Sequence, residues 1–333
     1  MARRPSLGPL VAAATATLVG ALSCPSPVHG EPASSVARAA PIVARARSAE
    51  AELRAAVAPT EPVTSVTPVS YEPWHGTSFG AYLAPKGAFW SDDGGIDVVV
   101  HFNAAMLAGR SWQASGANAV IVSAAFGSFG SGAYQEAMAD PGRFGRMVSE
   151  VVASVAAQRK PGTKLHVRHL GLVAWSAGFG AVGRILAVPR YFEQLDSVIL
   201  LDALQAGYKD PSRGAAQGAD HVSLTGLAPY IRFAREAMAG RKQLVVTHTS
   251  IVPPQYASTT EATTALAAAV GAVPQPTNEA SGAMVRTYRV DEGGLHLHGF
   301  HGAGPGDHMR HLHLVGDVVH EFLVPRWTGA GAR

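Results

Sequence analysis

The sequence predicts an α/β fold: a doubly wound, mostly parallel sheet with helices on both faces, occupying residues 71–333. A signal peptide (1–30) and a disordered Ala/Pro-rich spacer (31–70) are expected to precede it. Three observations carry this reading. Continuous apolar, β-branched runs recur along the chain, helical patterns fall between them, and aromatic residues begin abruptly at Tyr71.

The runs cover residues 97–102, 119–125, 170–175, 197–201, 243–249 and 285–290. Runs without polar alternation suit strands covered on both faces, the usual state of a parallel sheet. The clearest helix follows the second run. Asp140 is expected to cap it with Pro141 at its first position, and Phe144, Met147, Val148, Val151, Val152 and Val155 fall on one face. Ser258 and Glu261 have capping-box spacing before the alanine-rich segment 262–270. A last helix is expected over 308–323, with Leu312, Val315, Val319, Phe322 and Leu323 inward.

The N-terminus reads as an export signal: Arg3 and Arg4, then a mostly apolar run over 10–22, then small and Pro-rich residues. The run is short for a membrane span. Export predicts a secreted or periplasmic protein, with envelope association through the N-terminus as one option. Cys24 is the only cysteine, so no intrachain disulfide forms. It is a candidate lipid-attachment residue, although Ala21 stands where such signals usually carry leucine. Residues 31–70 hold no aromatic residue and too little apolar bulk to offset the entropy of ordering. The net charge of +3 sits mainly at this end, where six arginines face four glutamates. The remaining 21 basic and 20 acidic residues leave the later part nearly neutral, with no footprint for nucleic acid.

The third run leads into GLVAWSAGFGAVGRIL. There Ser176 stands between a predicted strand and a predicted helix, with Ala174 two residues before it and Gly178 two after. Small residues at those places let strand and helix approach closely enough to lift the serine hydroxyl off the sheet. The helix start also aims backbone amides at the site, so Ala177 is a candidate oxyanion donor. A second pattern overlaps the first. Gly178, Gly180 and Gly183 spell G-x-G-x-x-G, and Asp202 ends the next run, as in a dinucleotide-binding turn with its ribose-binding acid. Such a turn usually opens its domain, whereas here two strands and a strong helix come first. That alternative implies an NAD(P)-dependent oxidoreductase; the same residues also suit a plain tight turn, and a third reading is a catalytically silent surface binding module held away from the envelope by the 31–70 spacer.

Asp202 is the carboxylate best placed after Ser176, since the following run ends VVTHTS without one; Glu261, Asp291 and Asp307 are fallbacks. Six histidines crowd the C-terminal region: His296, His298, His301, His308, His311 and His313. His308 stands between a Gly/Pro loop and the last helix, with His301 as second choice, while His320 reads as a surface residue. The cluster raises metal binding, with His248 or His101 as further ligands, but no H-E-x-x-H motif and no carboxylate or cysteine at ligand spacing accompany it. No metal and no cofactor are expected.

Over about residues 75–325, the strand–helix order, the A-x-S-x-G turn, the later acid and the terminal histidine resemble the α/β-hydrolase superfamily. Ala174 departs from the commoner glycine. The resemblance implies a serine hydrolase acting on a carboxylic ester or related acyl bond of a small-molecule or polymer substrate. Ser176 would be nucleophile, His308 general base and Asp202 its orienting acid. It also implies a second oxyanion amide after the first run, at Asn103 or Ala104. Residues 203–240 are long enough for a cap lined by Tyr230, Ile231 and Phe233.

Overall fold

The computed structural model describes residues 68–329 apart from 128–129, 160–163 and 282. The expected signal peptide, Cys24 and most of the expected spacer lie outside the described residues. Val69 already packs on the core and Tyr71 is buried, its hydroxyl donating to the Ala117 carbonyl. No helix among the described residues is long and apolar enough to cross a membrane.

Among the described residues ten strands form one mixed, mostly parallel sheet: β1 (His75–Gly76), β2 (Gly80–Leu83), β3 (Gly95–Phe102), β4 (Val120–Ala124), β5 (His166–Trp175), β6 (Ser197–Leu201), β7 (Gln243–His248), β8 (Gln275–Ser281), β9 (Met284–Glu292) and β10 (Leu295–Phe300). Their order is β1-β2-β4-β3-β5-β6-β7-β10-β9-β8. The stretch from β4 to β10 is parallel, and antiparallel strands finish both edges. The first five apolar runs are β3 to β7. The sixth is a correction: β9 is antiparallel and mostly half-exposed, because Arg286, Thr287 and Arg289 interrupt its apolar residues.

Successive side chains of a strand point to opposite faces, and both faces here are apolar. Val98, Val100 and Phe102 join one core cluster, Val99 the other. The first cluster takes in helices α3 (Arg143–Ala157), α4 (Phe179–Leu186), α6 (Ala228–Met238) and α7 (Thr259–Val270). The second takes in Trp112 of α1 (Gly109–Ala114) and the C-terminal helical segments, beginning with α8 (Pro305–His313). Short helices α2 (Gly132–Ala137) and α5 (Pro189–Gln194) complete the chain order before α6. The apolar face expected of the last helix is buried at Leu312, Val315, Val319, Phe322 and Leu323.

Local expectations fared unevenly. The capping box is present: Ser258 Oγ accepts from the Glu261 amide at 3.1 Å, and Glu261 returns the bond to the Ser258 amide at 2.9 Å. Helix α3 begins at Arg143, later than expected, because Asp140 spends its carboxylate on the Gly142 amide in a preceding turn. The expected cap is overturned as well. Tyr230, Ile231 and Phe233 lie on α6, buried in the sheet-facing core, where the Tyr230 hydroxyl donates to the Phe179 carbonyl at 2.6 Å.

The sheet topology singles out one crevice. Strand β3 pairs with β4 on one side and β5 on the other, so the winding reverses there. Open α/β sheets bind ligands outside the carboxyl ends of the strands at such a point.

Candidate active site

Strand β5 ends at Trp175 and passes through a single 3-10 turn, Ser176–Gly178, directly into α4. This tight exit forces Ser176 to φ 52°, a left-handed backbone that a side-chain-bearing residue adopts only under constraint. Gly178 shows where the constraint arises. A Cβ there would stand 2.4 Å from the Phe102 carbonyl oxygen, so the helix start is pressed against the end of β3. Ala174, at the other small position, is fully buried between its partners Phe102 and Leu200. The first amides of the turn face forward without helical acceptors, as at any helix start.

The same tight backbone recurs one strand over. Asp202 follows β6 directly with φ 45°, and its amide donates to the Thr247 carbonyl at 2.7 Å. Trp175 and Leu201 are register partners, so Ser176 and Asp202 leave neighbouring strands at the same level. The Asp202 carboxylate is buried and accepts four hydrogen bonds. Thr249 gives its amide to Oδ1 at 3.0 Å and its hydroxyl to Oδ2 at 2.9 Å, and Thr259 gives its hydroxyl to Oδ1 at 2.8 Å. His308 Nδ1 completes the set at 2.6 Å from Oδ2. Burial alone would disfavour the charge, but the bonds from His308 and Thr249 outweigh it and hold the carboxyl well below the usual range.

His308 lies in the first turn of α8, brought over the sheet by the loop after β10. Trp175 fixes its ring from below: the two rings stack with centroids 4.6 Å apart, and the indole Nε1–H donates to the His308 carbonyl at 3.0 Å. With Nδ1 committed to Asp202, Nε2 is the ring nitrogen left for other chemistry. Ser176, His308 and Asp202 are thus gathered at one edge of the sheet. Among the described residues Ser176 Oγ makes no hydrogen bond to His308; the link from one to the other runs through Trp175.

The loop after β3 borders the serine. Asn103 and Ala104 both have positive φ, 72° and 60°, and Asn103 Nδ2 donates to the Trp175 carbonyl at 3.2 Å. The Asn103 amide is already committed to the Ala124 carbonyl at 3.1 Å. Of the two amides that the sequence suggested beside Ala177, Asn103 is therefore occupied, and Ala104 is the one that donates to no backbone carbonyl among the described residues.

The other histidines divide into separate environments. His101 is fully buried and accepts from Trp112 Nε1 at 3.1 Å; burial pushes its imidazolium down to about 3. His311 is fully buried against Thr247 and Phe300, and is pushed down to about 4. His296 and His298 share Asp291, at 2.8 and 3.1 Å, on β9 and β10. His248 is paired with the Tyr288 hydroxyl. His301 is exposed and His320 is half-buried, where a surface position was expected. Among the described residues no three His, Cys, Asp or Glu side chains are grouped to hold a metal ion.

Thr249, Thr259 and Trp175 had no assigned role in the sequence reading. Two of them carried a signal: THTS supplies hydroxyls immediately after β7, and Thr259 follows the capping serine. The fallback acids are otherwise engaged, Glu261 in the capping box, Asp291 with His296 and His298, and Asp307 with Arg310 and the Gly304 amide. Compared with known proteins, the chain matches no family model and no curated protein.

Proposed function

We propose that the chain is an exported serine hydrolase of α/β-hydrolase type, cleaving a carboxylic ester or related acyl bond. The observation that carries this reading is the His308 Nδ1–Asp202 hydrogen bond of 2.6 Å, set beside Ser176 in its left-handed turn at the same sheet edge. A carboxylate bonded to Nδ1 holds the imidazole in the tautomer whose Nε2 can accept a proton, and it stabilises the imidazolium that results. Ser176 Oγ attacks the substrate carbonyl carbon while its proton passes to His308 Nε2. The Ala177 and Ala104 amides receive the negative charge on the carbonyl oxygen. As the intermediate collapses, the C–O bond to the alcohol breaks and His308 protonates the leaving oxygen. Water, deprotonated by His308, then attacks the acyl-serine, and Ser176 leaves with its proton restored. The Ser176–His308 contact closes when substrate is engaged, since such bonds are commonly long before that.

The dinucleotide reading finds less support. Cβ atoms at Gly178 and Gly180 would meet the carbonyl oxygens of Phe102 at 2.4 Å and Ser131 at 2.6 Å, so both glycines serve packing within the chain. Asp202 has its four bonds inside the protein, which leaves no oxygen for a ribose. The decisive experiment is labelling with a fluorophosphonate probe. Label on Ser176, lost in Ser176→Ala, supports the hydrolase. Absence of label with nicotinamide nucleotide bound would favour the oxidoreductase, and absence of both a silent binding module.

A further inference from the structure

Six large hydrophobic side chains stand exposed among the described residues: Met106, Leu107, Leu224, Val252, Tyr256 and Val273. Isolated exposed apolar residues are ordinary, but a group on one rim is not. Five of the six lie on segments that follow β3, β6 and β7, all at the carboxyl edge that holds Ser176, Asp202 and His308. Met106 and Leu107 come three and four residues after Asn103, whose side chain is bonded to Trp175. Val252 and Tyr256 lie between Thr249 and Thr259, both of which hold the Asp202 carboxylate. Leu224 belongs to the segment after β6, tied back by the Ser223 amide on the Gly207 carbonyl at 2.8 Å; a bridge between Ala206 and Ala257 joins that segment to the β7 loop.

Two of these loops lack charge: residues 103–108 and 249–258 contain no Asp, Glu, Lys or Arg, whereas the segment after β6 carries Lys209, Asp210, Arg213 and Asp220. An anionic or cationic substrate entering past them would lose hydration without meeting a counter-charge. A neutral alkyl or aryl group would instead cover exposed Met106, Leu107, Val252 and Tyr256. Resting on the hydrolase reading, we propose that the substrate is a neutral ester with an apolar acyl chain, held along these two uncharged loops.

The test uses the full chain and p-nitrophenyl esters from acetate to hexanoate, kept below the concentration at which they aggregate, with the anionic hemiglutarate ester for comparison. Half-burial of each added CH2 gives about twofold in kcat/KM, and so about 15-fold from acetate to hexanoate. The hemiglutarate ester should be slower than the neutral ester of similar length. In Leu107→Glu and Val252→Glu, whose exposed side chains leave the core untouched, the hexanoate-to-acetate ratio should fall toward one. A flat profile in the wild type, faster hemiglutarate cleavage, or a ratio unchanged in both variants overturns the proposal while Ser176 labelling still upholds the hydrolase. No Ser176-dependent cleavage of any ester and no fluorophosphonate label removes both together.

Discussion

Trp175 and His308 hold each other by two contacts at once, a ring stack at 4.6 Å and an indole-to-carbonyl hydrogen bond at 3.0 Å. Strand β5 therefore supplies both the serine turn and the surface on which the imidazole rests. Replacing Trp175 separates the two contacts. Trp175→Phe keeps a ring for stacking and loses the N–H; Trp175→Ala loses both. Esterase kcat should fall about tenfold in the first and about 100-fold in the second, with KM for a short ester little changed, as expected of a group that orients another. Steady-state kinetics on p-nitrophenyl acetate would decide it, and equal losses in the two variants would count against the stack.

Asp202→Asn keeps the shape of the acid but turns one acceptor into a donor facing His308. The imidazole then loses its preferred tautomer, and kcat should drop by about 10³- to 10⁴-fold. Fluorophosphonate labelling of Ser176 should slow in parallel, while the variant remains folded by circular dichroism. Labelling at the wild-type rate would contradict the role given to Asp202.

Ser176 stores backbone strain. At φ 52° glycine is at ease and serine is not, so Ser176→Gly should abolish labelling and raise unfolding free energy by about 1 kcal/mol. Urea denaturation of the two proteins measures the difference. A destabilised glycine variant would mean that the hydroxyl contributes more to the fold than the strain removes.

The buried histidines set a pH limit on stability. His101 and His311 have their imidazolium pushed down to about 3 and about 4, against 6.5 for the unperturbed ring. Between these values the unfolded chain takes up protons that the folded protein does not. Stability is therefore full above about pH 6.5 and declines as pH falls, by up to about 1.4 kcal/mol per unit for each histidine. Asp202, whose carboxyl is held low, adds a further loss only once pH falls below the ordinary carboxylate range, about 4. Urea midpoints at pH 7, 6 and 5 should show the decline, and His101→Gln should shrink its slope by about one proton.

How much of this was legible in the sequence depended on whether a residue's role was local. Five of the six parallel strands, β3 to β7, the Ser258–Glu261 capping box and the placing of Ser176 at a strand-to-helix turn follow from short-range pattern and were read correctly. The sixth apolar run misled: Val290 is buried as expected, but Val285 is only half-buried, Arg289 is exposed, and the strand runs antiparallel between β10 and β8. Tyr230, Ile231 and Phe233 were read as a cap because length alone cannot say which way a helix turns its apolar face. The pairing of Asp202 with His308 was anticipated through the resemblance, while its support by Thr249 and Thr259 was not. Those hydroxyls reach Asp202 only because β6 and β7 lie side by side, a fact of topology that no local pattern encodes. The Asn103 amide was misjudged for a related reason, since its acceptor, Ala124, belongs to the next strand.

The two threonines on Asp202 also make residues 250–258 a loop fastened at both roots. Its ends are stapled to one carboxylate, so its middle can change in sequence or length while the acid stays in place. Grafted loops between Thr249 and Thr259 are then a natural site for retuning selectivity, with the chemistry at the sheet edge left as an unchanged chassis.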